Sequence, residues 1–198
     1  MSLLKPFSRR PALNTATILL VEREEDFQQR LAEVLVEETA VTLNVRLAKS
    51  LPLPFKNQHS RPRIDLVVFI INLTSELSLQ SAQASLKYLD PGYFLGKVCF
   101  MATNARNAAV PPERLDTLRG LAASLRCTLL FAEDQVLRCG SGVNICPLQT
   151  ADGASNASER LLTILKVAAG LVPMTTALYL SNLTMCTAPS NTNEADFD

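Results

Sequence analysis

A chain with four short, almost wholly apolar runs has to bury each of them on both sides. Residues 15–21 (TATILLV), 65–73 (DLVVFIINL), 97–103 (KVCFMAT) and 128–132 (TLLFA) are such runs. They fall far short of the roughly 20 residues a membrane-spanning helix needs, and they lack the alternation of a sheet with one wet face. Each reads as a strand covered above and below. A fifth segment is different: Val41, Leu43, Val45 and Leu47 alternate with polar partners. That pattern marks a half-buried strand at a sheet edge.

Helical spacing fills the intervals. Glu24, Glu25 and Asp26 open a helix that runs through about Glu37, with Phe27, Leu31, Val34 and Leu35 on one face. The acids suit the positive helix end. Residues 78–89 place Leu79, Ala82, Leu86 and Leu89 on one face before Pro91 and Gly92 stop them, and residues 112–126 repeat the pattern with Leu115, Leu118, Leu121 and Leu125. Ser158 is the expected cap of a last helix through Ala169, with Gly170 as C-cap and Pro173 beyond. The order β-α-β-β-α-β-α-β-α implies an α/β fold with a mostly parallel, Rossmann-like, doubly wound sheet between helices. Ligands of such sheets sit at the carboxyl ends of the strands.

The expected organisation is a flexible amino-terminal tail over residues 1–12 and one domain over 13–186. An inserted polar loop occupies 133–157, and a disordered acidic tail 187–198. Nineteen basic and nineteen acidic side chains cancel, which argues against a protein that coats nucleic acid. The cysteines (Cys99, Cys127, Cys139, Cys146, Cys186) number five and carry no C-x-x-C spacing. No disulfide framework is expected, so the compartment reads as reducing. Three Asn-x-Ser/Thr sequons, at Asn72, Asn156 and Asn182, read as chance without a secretory leader.

The turn after the first strand is where a nucleotide-binding protein places G-x-x-x-x-G-K-[ST], whose glycines wrap phosphate and whose lysine reaches the β and γ phosphates. Here it reads Val21-Glu22-Arg23-Glu24-Glu25-Asp26-Phe27-Gln28, and no glycine precedes Gly92. Glu22, Glu24, Glu25 and Asp26 stand as a degenerate, non-binding phosphate-loop position. A divalent-metal site is the sharper alternative for these acids, and a solvated helix start the plainer one. After the third buried strand Thr103-Asn104-Ala105-Arg106 replaces the Asn-Lys-x-Asp guanine reader, and Ala132-Glu133-Asp134 ends the fourth.

Several consecutive runs, among them Leu13-Asn14-Thr15-Ala16-Thr17-Ile18-Leu19-Leu20-Val21, Leu47-Ala48-Lys49-Ser50-Leu51-Pro52-Leu53-Pro54 and Phe94-Leu95-Gly96-Lys97-Val98-Cys99-Phe100, resemble the centromere protein M family. The resemblance covers roughly residues 1–132 and 158–182. It implies a pseudo-GTPase: a small-GTPase-like fold lacking P-loop and switch regions, with no enzymatic activity, cofactor, metal or nucleotide. It further implies a structural subunit of the inner kinetochore, in the nucleus at the centromere. That subunit binds and stabilises centromere protein I in a complex with centromere proteins H and K, and serves kinetochore assembly and chromosome segregation. The chain departs from the family over residues 133–157, and Glu22 stands where relatives can keep a glycine. The runner-up is a degenerate nucleotide-sensing, small-GTPase-like regulator.

A protein that holds a partner presents apolar groups inside a polar rim. Two segments qualify: Tyr93, Phe94 and Leu95 in a turn, and Met174, Leu178 and Tyr179 beyond the last helix. Packing back on their own domain is the plainer reading of both. Between Thr39 and Ile64 lie Arg46, Lys49, Lys56, Arg61 and Arg63 without an acid, a weaker candidate contact for an acidic partner. Contact with DNA is expected to be indirect or weak, since no aromatics interleave to stack bases apart from Phe55. His59 is the only histidine, and Cys139 and Cys146 lack zinc spacing, so neither a hydrolase triad nor a metal site is expected.

Overall fold

Successive side chains of a strand point to opposite faces, so a strand buried on both sides feeds two cores at once. The computed structural model describes residues 3–6, 15–24, 26–37, 42–54, 63–132 and 153–171. Within them the chain forms β1 (Thr15–Val21), α1 (Asp26–Glu37), β2 (Thr42–Ala48), β3 (Leu66–Asn72), α2 (Glu76–Leu86), a 3₁₀ turn (Pro91–Phe94), β4 (Val98–Thr103), α3 (Pro112–Ser124), β5 (Thr128–Ala132) and α4 (Gly153–Ala169). The strand order is β2-β1-β3-β4-β5, and every pair is parallel. From β1 the chain steps outward to β2 and then crosses back to β3 on the other side. This topological switch point opens a crevice at the carboxyl ends of β1 and β3.

Alternation divides the interior. Leu19, Val21, Val67, Phe69, Ile71 and Phe100 face α2 and α3, where Leu79, Ala82, Leu118 and Ala122 meet them. The Phe69 and Phe100 rings lie 5.9 Å apart. Ile18, Leu20, Val68, Ile70 and Met101 face the other way, against Phe27, Leu31 and Leu35 of α1 and Leu161 and Leu165 of α4. The edge strand β2 alternates exposed and half-buried from Thr42 to Arg46, as its polar alternation requires, and breaks the pattern at Leu47, which is exposed. The α/β, doubly wound architecture expected from the apolar runs is the architecture observed.

Two local expectations are corrected. The last helix starts at Gly153 rather than at Ser158, so residues 153–157 leave the expected loop. Ser158 is fully buried beside Ala157, because small residues let this helix approach the sheet closely. Its end follows the sequence: Gly170 takes φ +75°, and the Leu171 N–H returns to the Lys166 carbonyl at 2.7 Å, closing the helix as glycine allows.

The second correction concerns residues 3–6 of the amino-terminal segment expected to be flexible. Leu4 is buried and bridges Leu89 in parallel. Its N–H donates to the Tyr88 carbonyl at 2.9 Å, and its own carbonyl accepts from Asp90 N–H at 3.0 Å. A single leucine pinned by two backbone bonds is a non-local event that no periodicity announces. Leu4→Ala should lower stability by about 2 kcal/mol in urea titration, whereas a detached segment predicts no change.

Candidate functional site

The crevice at the switch point is closed by side chains of the chain itself. Glu22, the first residue past β1, is buried. Its Oε2 accepts the Gln28 backbone N–H at 2.6 Å, and its own N–H donates to the Ala48 carbonyl at 3.0 Å. Gln28 lies in the first turn of α1, where backbone N–H groups lack helical partners and the dipole is positive. A phosphate-binding turn offers that helix end to its ligand; here a carboxylate sits on it.

Neighbouring groups complete the closure. Glu24 Oε2 accepts from Asn72 Nδ2 at 2.6 Å. Asn72 Oδ1 accepts from Thr74 N–H at 3.1 Å, Thr74 Oγ1 at 2.7 Å and Asn104 Nδ2 at 3.0 Å. Asn104 holds φ +58°, a left-handed conformation asparagine tolerates. The ends of β1, β3 and β4 are thereby laced together, and the amide of the Asn72 sequon is engaged in the network. The cleft left over measures about 190 Å³ and is lined by Glu22, Glu24, Phe27, Arg30, Asn72 and Asn104. The Arg30 guanidinium lies 5.5 Å from the centre of the Phe27 ring. That volume is below the usual range for a small-molecule pocket. Glu25 and the Asp26 side chain lie outside the described residues. Among those described, no three His, Cys, Asp or Glu side chains are placed to hold a metal.

The opposite end of the sheet holds a second polar cluster. Asp65 Oδ2 accepts from Thr17 N–H at 3.0 Å, and Oδ1 from Arg63 Nε at 2.7 Å. Lys97 is buried and its Nζ donates to the Ala168 carbonyl at the end of α4, a favourable place for a cation. Burial lowers the Lys97 pKa against the pull of Asp65. Tyr93 donates its hydroxyl to the Ile64 carbonyl at 3.4 Å, and burial, reinforced by Asp65, raises its pKa strongly.

These contacts sort the sequence candidates. Tyr93 is fully buried and belongs to the core, because its ring plugs the 3₁₀ turn over the start of β3; as a partner-facing residue it is corrected. Phe94 is half-buried and packed on the same core. Leu95 is 80% exposed, turned outward just before Gly96, whose φ of +81° redirects the chain into β4. Arg63 is also corrected: it is spent on Asp65, two residues away, rather than presented to a partner. Arg46 and Lys49 are exposed. Lys56, Arg61, Met174, Leu178 and Tyr179 lie outside the described residues.

Among the exposed apolar residues that the sequence reading did not single out, Leu3, Val36 and Leu77 included, one stands near the Leu95 end. The Lys97 bond to Ala168 draws the end of α4 to the start of β4. Val167, 74% exposed, therefore stands at the same end of the sheet as Leu95. Its signal was legible: Leu161 and Leu165 set the buried face, and position 167 falls about 200° from Leu165 around the helix.

Together these features define a class: a Rossmann-like, doubly wound α/β domain whose ligand end is laced shut by its own side chains and whose opposite end carries exposed apolar groups. The sequence profile of the family described as Centromere protein M (CENP-M) matches residues 1–187. The chain is 52% identical over 196 residues to centromere protein M of Danio rerio, covering 98% of each chain. It is 41% identical over 184 residues to that of Homo sapiens, covering 92% of this chain and 93% of the relative. Against that of Xenopus laevis it is 40% identical over 183 residues, covering 92% and 94%. The chain belongs to the centromere protein M family, and its place is the centromere of the chromosome.

Removing the self-supplied anion should be felt locally. Glu22→Ala should cost about 1–3 kcal/mol by leaving a buried N–H unpaired, measured by denaturant titration, with protection of the first α1 amides lost in hydrogen exchange. Burial also pushes the Cys99 thiol up to about 12 and that of Cys127 to about 11. Against an ordinary thiol near 9.0, Cys99 therefore carries about a thousandfold less thiolate at pH 8. Peptide mapping after iodoacetamide should find it unmodified in the native protein and alkylated after denaturation; rapid native alkylation would refute its place in the core.

Proposed function

We propose that the chain is a non-catalytic structural subunit of the inner kinetochore, binding and stabilising centromere protein I in a complex with centromere proteins H and K. The reading rests on family membership and, above all, on the Glu22 carboxylate at the α1 amino terminus. A domain that ligates its own helix end has converted the usual chemical site of its fold into a structural one. Among the apolar residues it offers outward, Leu95 and Val167 lie at the end of the sheet stiffened by Asp65, Arg63 and Lys97. Apolar groups on a rigid frame suit durable protein contact. Its role is complementarity: it stabilises the partner by binding the folded form, in the nucleus, during kinetochore assembly and chromosome segregation.

Co-expression with centromere proteins H, I and K followed by size exclusion tests this reading. The chain should co-elute with the three. Leu95→Arg and Val167→Glu, at exposed positions, should change the melting temperature little yet weaken association about tenfold or more. Guanine nucleotide with magnesium should leave the melting temperature unchanged. A nucleotide-dependent rise, with separate elution of a folded chain, would replace the scaffold by a nucleotide sensor.

A further inference from the structure

The carboxyl end of the edge strand carries a groove that the reading above does not use. It measures about 540 Å³ and is lined by Gln28 of α1, by Leu47, Lys49 and Ser50, and by Pro52 and Pro54 of the following turn. Three observations bear on its occupant. Leu47 is 47% exposed, an apolar anchor point on a strand that otherwise alternates. Arg46 and Lys49 are exposed, and described residues 42–54 contain no acid. Gln28 is 2% exposed, and its Oε1 is a buried acceptor with no hydrogen-bond partner among the described residues. Such an atom calls for an N–H.

The groove also continues a sheet edge, since β2 pairs with β1 and ends the sheet among the described strands. Edge strands recruit extended segments through backbone bonds, with side-chain pockets supplying specificity.

We propose that this groove is a second docking site, taking an extended, acidic segment of a partner protein. The segment's apolar side chain packs on Leu47 and the prolines, its carboxylates face Lys49 in the groove and Arg46 on the opposite face of β2, and a backbone N–H satisfies Gln28 Oε1. The strands are parallel, and Leu95 precedes β4 whereas Leu47 and Lys49 close β2. The two surfaces therefore lie at opposite ends of the sheet, and both can be occupied at once.

The test uses the full chain and fluorescein-labelled synthetic peptides of alternating glutamate and leucine, with a lysine–leucine peptide and a glutamate–serine peptide as controls. Fluorescence anisotropy should saturate for the glutamate–leucine peptide alone, and binding should weaken as salt rises. Lys49→Glu should weaken it about tenfold and Gln28→Leu measurably, each with unchanged circular dichroism. Leu95→Arg should bind the peptide as the parent does. Failure to bind, equal binding of the lysine peptide, or indifference to Lys49→Glu would overturn the proposal. Two other results reassign the groove and overturn the partner assignment equally. One is binding seen only when Glu194, Asp196 and Asp198 are neutralised together, which would make the chain's own acidic end the occupant. The other is a sedimentation dimer broken by Lys49→Glu, which would make it a second copy.

Discussion

A parallel sheet covered by helices on both faces offers a partner only its ends, its edges and the outward faces of its helices. Every other structural choice in this chain follows from that confinement. The alternating side chains of β1, β3 and β4 feed two separate cores, so neither face can be opened without loss of apolar burial. The two ends then diverge in chemistry. The carboxyl end is polar and mutually satisfied through Glu22, Glu24, Asn72 and Asn104. The amino end is fixed by Asp65 and Lys97 beneath exposed Leu95 and Val167.

The strands were legible because double-sided burial writes itself as unbroken apolar runs, and residues 15–21 and 128–132 coincide with β1 and β5. The start of α4 was not, because Gly153-Ala154-Ser155-Asn156 carries no apolar period to read. Leu4 was missed because its partner, Leu89, lies 85 positions away. Tyr93 illustrates a different limit. A tyrosine beside Phe94 and Leu95 gives no sign of which ring turns inward, and only the carbonyl of Ile64, distant in sequence, decides it.

The carboxyl-end site was legible in part. The absence of glycine and lysine from the first turn is plain in the sequence, and so is the crowd of acids. What sequence could not assign is a separate task to each acid: Glu22 caps the helix, while Glu24 reaches across to the end of β3. Glu22 and Glu24, two positions apart in what looks like one solvated cluster, are two distinct fastenings.

A carboxyl group supplied from within the chain accepts the Gln28 N–H in the first turn of α1, at an effective concentration that a dissolved solute does not approach. Any phosphate arriving from solution has to displace Glu22 and then sit beside Glu24, against both geometry and charge. A helix end that other folds of this class present to a dissolved anion is met here by a side chain of the same chain.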